Sequence, residues 1–260
     1  MSLLDVQNLR TYFSTRGGKV KAVDGVNLKI DKGDALGLAG ESGCGKTTTA
    51  LTIMRLLPSN AKVLTGKILY EEIDLLKIND EKFRKEFRMK RMSMIFQGAM
   101  NSLNPVFRVG DQIKQAIRLH ENITKDSAWD RVEELFSLVG INPKRAREYP
   151  HEFSGGMKQR AIIALSLSCN PALIIADEPV TALDVIVQAQ ILELIRNLRD
   201  KLGLSMIMIT HDLSVIADTC NKTAIMYAGQ IVEQSDSINI FKYPKHPYTQ
   251  GLINNFPSIT

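Results

Sequence analysis

The amino-acid sequence predicts an α/β protein with a mostly parallel sheet, an N-terminal antiparallel β region and an inserted helical subdomain. Short apolar runs alternate with amphipathic helical stretches, which is the pattern of a sheet that helices cover on both faces. A glycine-rich segment joins one of these runs to a helix. Residues 98–165 have helical spacing instead of the alternation of a strand, which indicates an insertion in the α/β core.

The composition is that of an ordinary soluble globular protein. Of 260 residues, 44% are hydrophobic and 23% are charged, and the apolar runs are far shorter than the roughly 18 residues of a membrane span. No basic and apolar leader opens the sequence, so we expect no secretory signal. Three widely separated cysteines predict neither a disulfide framework nor a zinc site. The net charge of +5 is compatible with nucleotide, lipid or RNA and requires none of them.

The first half of the chain predicts four strands and one helix. The first strand is rich in β-branched residues and ends at a turn signal at 31–34. The helix ends before Pro58, because the residue ahead of a proline avoids the helical conformation. The predicted strands are 20–30, 35–39, 66–70 and 91–96, and the helix is 47–57.

The second half begins with helices and then returns to alternating strands and helices. The predicted helices are 109–120, 125–139, 154–169 and 185–202, with a polar connection at 143–148 and strands at 172–176, 204–210, 223–227 and 230–233. These elements divide the chain into three parts. They are an α/β core of residues 1–97 and 166–235, a helical subdomain of residues 98–165, and a C-terminal extension of residues 236–260.

The glycine-rich segment is a candidate phosphate loop. It reads Gly40-Glu41-Ser42-Gly43-Cys44-Gly45-Lys46-Thr47 and fits the pattern G-x-x-x-x-G-K-[ST] between a strand and a helix. Glycines let backbone N–H groups point at phosphate oxygens, and the helix start adds a partial positive charge. We expect Lys46 to reach the β- and γ-phosphates and the Thr47 hydroxyl to bind Mg²⁺. The predicted nucleotide contacts in this loop are Gly40, Ser42, Gly43, Cys44, Gly45, Lys46, Thr47 and Thr48.

Three other polar positions follow apolar runs. One run ends in Asp177 and Glu178, whose side chains point to opposite faces of a strand and therefore have different roles. Asp177 suits magnesium binding, and Glu178 can polarise an attacking water. His211 ends another run, where open α/β sheets place ligand contacts, and Gln97 ends an earlier one. A carboxylate that caps the next helix and a purely structural histidine are the alternatives.

A glycine pair opens the last helix of the predicted insertion. In Phe153-Ser154-Gly155-Gly156-Met157, the serine is a suitable N-cap and the glycines expose the N–H groups of the helix start. Alone, these residues fit a second phosphate-binding surface or a capped helix without a ligand. Together with the motifs above, in this order, they resemble the ATPase subunit of an ABC transporter over essentially the whole chain. Ser154-Gly155-Gly156 looks like the signature of that family, with Met157 where many members carry Gln.

The resemblance implies a phosphate-loop NTPase fold and a head-to-tail pair of subunits. Each ATP then lies between residues 40–48 of one subunit, which look like the Walker A loop, and the signature of the other. In that arrangement Ser154 and Gly156 contact the γ-phosphate held by the partner, with Gly155 and Met157 beside them.

The resemblance also assigns chemistry to single residues. Glu178 is the implied general base, and Gln97 and His211 sense the γ-phosphate. Asp184 lies in a segment, Ala182-Leu183-Asp184, that resembles the D-loop and carries communication across the dimer. The implied Mg²⁺ ligands are Thr47, Gln97 and Asp177. The aromatic residues implied to stack on adenine are Phe13 and, as the neighbouring candidate, Tyr12.

Two segments, 96–105 and 243–249, narrow the resemblance to the dipeptide and oligopeptide branch of importers. The implied complex contains two transmembrane permease subunits and an extracytoplasmic solute-binding protein. Its second ATPase subunit is homologous but distinct, or else an identical copy, and both lie peripherally at the cytoplasmic face of the cell (inner) membrane. Relatives often continue into a cysteine-containing tail that can hold an iron–sulfur cluster. No cysteine follows Cys220, so we predict no such cluster.

Other functions fit parts of the sequence. The alternative to peptide import is that the same ATPase powers the import of another solute, an oligosaccharide or nickel. The basic stretch 82–91 fits an ABC ATPase that acts on nucleic acid, but acidic residues interleave with its cations, and we expect no nucleic-acid partner. A small-molecule kinase would use the phosphate loop and leave the glycine pair and His211 without a role.

Overall fold

The computed structural model describes residues 2–255 and divides the chain into two compact units. The first unit contains the chain up to Asn79 and from Ser205 onward, and the second is the segment between them. The three-part division at residues 98, 166 and 236 stays a prediction.

The described residues form ten strands and nine α-helices, with short 3₁₀ and π turns between them. The strands are β1 (Ser2–Thr15), β2 (Gly18–Asp31), β3 (Ala35–Ala39), β4 (Ala61–Tyr70), β5 (Ile73–Asp74), β6 (Met92–Ile95), β7 (Leu173–Asp177), β8 (Ser205–Ile209), β9 (Lys222–Tyr227) and β10 (Gln230–Asp236). The helices are α1 (Lys46–Ile53), α2 (Asp80–Lys82), α3 (Val109–His120), α4 (Lys125–Leu138), α5 (Gly155–Leu167), α6 (Val185–Leu202), α7 (Leu213–Thr219), α8 (Ser237–Lys242) and α9 (Pro247–Asn254).

The first unit contains an antiparallel sheet in the order β2-β1-β4-β5. The end of β2 alternates in the way that a half-buried strand requires, because Val26, Leu28 and Ile30 are buried between exposed lysine and asparagine side chains. The register of β1 against β2 shifts between Thr11 and Tyr12, so that Ala22 of β2 is skipped. This bulge faces the phosphate loop described below.

The same unit contains a group of strands in the order β10-β9-β3-β8. β3 is parallel to both β8 and β9, and β10 runs antiparallel to β9. All five residues of β3 are buried, as expected for a strand covered on both faces. Gly37 lets α7 approach closely, because a Cβ at this position would lie 2.3 Å from Ile216.

Helix α1 is shorter than the sequence predicts. It ends at Ile53 instead of residue 57, because Arg55 adopts the left-handed conformation with φ of 52°. The Nη1 of Arg55 donates to the carbonyls of Leu75 at 3.1 Å and Ile78 at 2.8 Å. These contacts with a distant part of the chain stop the helix before the proline does.

The second unit pairs β6 and β7 in parallel and is otherwise mainly helical. Helix α3 buries Val109, Ile113 and Ile117 at helical spacing, and it packs with α4. The basic stretch 82–91 includes a π turn, Phe83–Phe87, whose two aromatic rings are buried and stacked 5.9 Å apart. That stretch therefore carries part of the core as well as charge.

No helix among residues 2–255 is long and apolar enough to cross a membrane. The three cysteines, Cys44, Cys169 and Cys220, are all free thiols and all buried.

Candidate nucleotide site

The phosphate loop connects β3 to α1, as the sequence predicts, and it is packed against neighbouring backbone. A Cβ on Gly40 would lie 2.1 Å from the carbonyl oxygen of Met226 in β9. A Cβ on Gly45 would lie 2.1 Å from the carbonyl oxygen of Ala22, at the bulge of β2. Real Cβ atoms do not approach so closely, so both positions require glycine.

Lys46 lies inside this loop. Its side chain is only 7% exposed, and its ammonium donates to the carbonyls of Gly40 at 2.7 Å and Glu41 at 2.8 Å. A lysine is rarely buried unless its charge is satisfied. Here carbonyl oxygens of the loop itself accept hydrogen bonds from the ammonium and keep its positive charge within the loop.

The start of α1 is open to an anion. Its N-cap residue is Gly45, with φ of 112° and no side-chain hydrogen bond to the first turn. The first N–H groups of a helix have no partners within the helix, and they favour negative charge. Among the residues of this turn, Thr47 is exposed and Thr48 is half-buried. The loop and the helix start therefore fit a bound phosphate group.

Cys44 is buried at the back of the loop. Its Sγ lies 3.7 Å from the Lys46 Nζ, and its carbonyl accepts the N–H of Gly229 at 2.9 Å. Ser42 and Gly43, in contrast, are exposed.

The two aromatic candidates for adenine stacking lie next to each other on β1, and both are half-buried. The Tyr12 hydroxyl donates to the Asp24 carboxylate at 2.7 Å, and this hydrogen bond is the main cause that raises the pKa of Tyr12. Phe13 has no polar side-chain group that could form such a hydrogen bond. Of the two, Phe13 therefore keeps more freedom to stack on a base.

His211 lies two residues after the end of β8, also in the first unit, and it is exposed. The next residue, Asp212, is the N-cap of α7 and accepts the N–H of Ser214 at 2.9 Å. The Asp212 N–H donates to the Thr210 hydroxyl at 3.0 Å. These bonds hold the turn that presents the histidine at the carboxyl end of the strand.

The second unit carries the two carboxylates. Asp177 is the last residue of β7 and is 1% exposed, whereas Glu178 has left the strand with φ of 48°. A positive φ is uncommon outside glycine, so the turn at Glu178 is strained and held by its surroundings. The Thr181 hydroxyl donates to the Glu178 carboxylate at 2.8 Å. The two carboxylates therefore differ in burial, and Glu178 lies in the turn after the strand and not on a strand face.

Gln97 lies after β6 and is exposed. The adjacent Gly98 adopts the left-handed conformation and begins a 3₁₀ turn, Ala99–Asn101. Gln97 therefore lies in a loop at the carboxyl end of β6, not within the strand.

The glycine pair opens α5, also as predicted. Ser154 is the N-cap, and its hydroxyl accepts the N–H of Met157 at 3.3 Å. Gly156 allows close packing against α6, because a Cβ there would lie 2.7 Å from the Cγ1 of Val187. Gly155 is exposed, with Leu183 3.5 Å from the position of its Cβ. The first turn thus presents N–H groups on a surface with few side chains.

Asp184 is the N-cap of α6, and its carboxylate accepts the N–H of Val187 at 3.0 Å. The helix that it caps begins with two exposed apolar residues, Val185 at 80% and Ile186 at 72% exposure. Asp184 therefore has a structural role within this chain, whatever it contacts outside it.

Sequence reasoning missed Arg145. Its guanidinium donates to the Glu148 carboxylate at 2.7 Å, to the Glu152 carbonyl at 2.9 Å and to the Met157 sulfur at 3.1 Å. It also lies 5.4 Å from the centre of the Phe153 ring. The only sequence signal was a basic residue shortly before the glycine pair, which is too common to single out.

Sequence comparisons agree with this geometry. A family described as "ABC transporter" matches residues 23–181. This chain belongs to the ABC transporter family. A second family, the C-terminal region of oligopeptide and dipeptide transporters, matches residues 232–260 of the ABC chain. The sequence-based assignment to this family, and to its dipeptide and oligopeptide branch, is confirmed.

Relatives of this ABC chain match it over nearly its whole length. The oligopeptide transport ATP-binding protein OppD of Bacillus subtilis is 49% identical over 99% of the chain and 72% of its own length. A probable peptide ABC transporter ATP-binding protein of Sinorhizobium fredii is 48% identical, over 98% of the chain and 77% of its own length. The dipeptide transport ATP-binding protein DppD of Bacillus subtilis is 47% identical, over 99% of the chain and 77% of its own length.

Solved structures share the fold of the ABC chain. A dimeric ATP-binding cassette in a post-hydrolysis state, bound to ADP and Pi, gives a TM-score of 0.79 at 23% identity, over 90% of this chain and 98% of that one. CbiO1 from Clostridium perfringens, part of the cbiONQ ABC transporter complex, gives a TM-score of 0.80 at 24% identity, over 93% of this chain and 91% of that one. The predicted α/β fold with a phosphate loop is confirmed.

Proposed function

We propose that this chain is the ATP-hydrolysing subunit of a membrane importer whose cargo is dipeptides or oligopeptides. The observation that carries the ATPase proposal is the phosphate loop, which holds Lys46 buried beside an uncapped helix start. Peptide cargo is supported by the relatives, whose names describe peptide, oligopeptide and dipeptide transport.

We assign nucleotide binding first. Lys46 and the N–H groups of the loop bind the β- and γ-phosphates, because both offer positive charge to an anion. Phe13 stacks on adenine, with Tyr12 as the alternative. Thr47, Gln97 and Asp177 offer the oxygen ligands that Mg²⁺ prefers, and Mg²⁺, when bound, neutralises charge on the phosphates.

Glu178 is proposed as the general base that takes a proton from the attacking water. The hydroxyl of Thr181 donates to its carboxylate at 2.8 Å and so restricts the orientation of the proposed base. Gln97 and His211 are proposed to contact the γ-phosphate and so to distinguish ATP from ADP.

The site is completed by a second subunit in this proposal. Ser154 and Gly156 of one chain, with Gly155 and Met157 beside them, contact ATP bound by the loop of the other, and Asp184 lies at that dimer interface. The exposed apolar side chains of Val185 and Ile186 support an interface there. The partner ATPase is a homologous distinct chain or a second copy. Two permease subunits and an extracytoplasmic binding protein complete the importer, with this chain at the inner membrane face.

The catalytic assignment is tested by Glu178→Gln. We expect ATP binding to persist, turnover to fall by roughly 10²- to 10⁴-fold, and a closed dimer to accumulate with ATP. Glu193→Gln, an exposed position on α6, is the matched control and is expected to turn over normally. Undiminished turnover in Glu178→Gln would exclude Glu178 as the base.

The cargo is tested by purifying the chain from membranes with its neighbours. Co-purified permease subunits and a peptide on the binding protein support the proposal. An oligosaccharide or nickel on the binding protein would replace the proposed peptide cargo and leave the proposed ATPase function in place. Steeply salt-dependent binding to DNA or RNA, without permease partners, would favour the nucleic-acid alternative, and phosphorylation of an acceptor would favour a kinase.

A further inference from the structure

The His246-Pro247-Tyr248 segment has no role in the function proposed above, yet several hydrogen bonds hold it in place. The Nδ1 of His246 caps α9 by accepting the N–H of Tyr248 at 3.1 Å, and Pro247 occupies the first helical position. On β10, the Glu233 carboxylate accepts the N–H groups of Lys245 at 2.8 Å and His246 at 3.0 Å. These bonds fix the start of α9 and so the direction of Tyr248.

Tyr248 reaches the phosphate loop, 207 residues away in sequence. Its hydroxyl accepts the backbone N–H of Glu41, the second residue of the loop, at 3.2 Å. Its ring packs on Tyr227, at the end of β9, with 4.5 Å between the ring centres and a tilt of 44°. Tyr248 itself is half-buried, and burial raises the pKa of its hydroxyl.

Two further contacts brace the same side of the loop. The N–H of Gly229, in the turn between β9 and β10, donates to the carbonyl of Cys44 at 2.9 Å. Gly40 packs against the carbonyl of Met226, one residue before Tyr227. Both contacts come from the β9–β10 hairpin, whereas the contact of Tyr248 comes from the C-terminal segment. Tyr248 therefore connects that segment to the loop.

We propose that Tyr248 is a positioning residue that holds the phosphate loop in its nucleotide-binding shape before nucleotide arrives. The proposal rests on the function proposed above. A loop that is already ordered loses less conformational entropy when its ligand binds, so fixing the Glu41 N–H favours affinity. The hydroxyl bonds to the loop and not to the reacting atoms. Its loss is therefore expected to raise KM for ATP and to leave kcat unchanged.

The test is Tyr248→Phe in the full chain, assembled with its transporter partners. This variant keeps the ring on Tyr227 and removes only the hydroxyl. We expect KM for ATP to rise about two- to tenfold, the range of one lost hydrogen bond, with kcat and melting temperature unchanged. Tyr248→Ala also removes the ring and is expected to raise KM further. Tyr243→Phe is the matched control, because Tyr243 is 71% exposed in the same segment, and its KM is expected to equal that of the wild type.

A second readout does not depend on nucleotide. In the nucleotide-free full chain, amide hydrogen exchange of residues 40–44 is expected to be faster in Tyr248→Phe than in the wild type or Tyr243→Phe. Equal exchange and equal KM in Tyr248→Phe and the wild type would overturn the inference, as would a fall in kcat at constant KM. A wild-type chain that binds no ATP would instead overturn the proposed function, while the exchange rates would still report whether Tyr248 holds the loop.

Discussion

The Nη1 of Arg145 lies 3.1 Å from the Sδ of Met157, so a single side chain connects the 3₁₀ turn Pro143–Arg147 to the first turn of α5. Because the same guanidinium also holds the Glu152 carbonyl, it fixes the segment that leads into the glycine pair. Arginine can make these bonds together since its donors form a rigid planar fork.

Replacing Arg145 is expected to disturb the glycine pair without touching the phosphate loop. Arg145→Ala should lower kcat for ATP hydrolysis and reduce the free energy of unfolding by about 1–3 kcal/mol, since it leaves several acceptors without a donor. ATP binding to the isolated subunit should be unchanged. Steady-state hydrolysis and nucleotide titration measure the two effects. Lys144→Ala, at the exposed neighbouring position, is the control. Equal kcat in both variants would show that Arg145 does not support the site.

Alanine substitutions at two glycines of the phosphate loop measure the effect of steric clash and the effect of backbone strain separately. Gly45 and Gly43 both have positive φ, at 112° and 79°. A Cβ at Gly45 would meet the carbonyl of Ala22 at 2.1 Å, whereas a Cβ at Gly43 has no described atom within 4 Å. We expect Gly43→Ala to cost about 1–2 kcal/mol of the free energy of unfolding and Gly45→Ala to cost more. Urea unfolding measures both, and equal losses would contradict the close packing.

A paired substitution separates the packing of Gly156 from its proposed contact with ATP. Gly156→Ala places a Cβ 2.7 Å from the Cγ1 of Val187 and is expected to lower the melting temperature. Adding Val187→Ala removes that methyl group, and the double variant should recover part of the lost stability.

If Gly156 also contacts nucleotide held by the partner, hydrolysis will stay low in the double variant although its stability recovers. Val187→Ala alone is the control, and its hydrolysis should stay close to that of the wild type. Recovery of both stability and hydrolysis in the double variant would assign Gly156 a packing role only.

An ion pair ahead of β3 predicts a specific loss of stability in acid. Burial alone would raise the pKa of Asp34, but hydrogen bonds from Lys222 at 2.7 Å and Asn221 at 3.0 Å outweigh it and hold that pKa below its ordinary value of 3.8. The folded state therefore binds this proton less readily than the unfolded state. The stabilisation is present above the ordinary pKa and is lost as the pH falls through the lower, folded-state value.

Asp34→Asn tests this prediction. At pH 7 the variant should lose about 1–2 kcal/mol of the free energy of unfolding, and its difference from the wild type should shrink on acidification. Urea unfolding at pH 7 and at about pH 3 measures the change. Asp218→Asn, at an exposed position on α7, is the control. A difference that stays constant with pH would contradict the role of the carboxylate.

Elements with a regular burial pattern were predictable from sequence. The ranges of β3, α3 and α6 agree with the predicted 35–39, 109–120 and 185–202, because β3 is a continuous apolar run and the buried residues of α3 and α6 recur at helical spacing. The phosphate loop and the start of α5 were predictable as well. There the motif and its flanking strand or helix are local in sequence.

The strand β1 was not predicted, although it is 14 residues long. Leu3 and Leu4 are both fully buried, and the register shifts at several points along the strand. Each shift breaks the alternation that identifies a strand in a sequence. The strand is defined by its irregular pairing with β2 and β4, which exists only in the folded chain and leaves no local sequence pattern.

Contacts that join distant segments were also beyond prediction. Arg55 ends α1 through carbonyls 20 and 23 residues away, and Tyr248 reaches Glu41 across 207 residues. Neither residue belongs to a pattern that specifies its partner. The C-terminal segment therefore gave a sequence signal for family membership but none for its position beside the loop.

The burial of all three cysteines makes the chain suitable for thiol-directed labelling without removal of its native thiols. Cys44, Cys169 and Cys220 are 7%, 5% and 6% exposed, and burial is the main cause that raises the pKa of Cys169. A maleimide reagent attacks accessible thiolates, so a cysteine introduced on the surface would react first. Fluorophores or spin labels placed in this way can report distances within the working subunit.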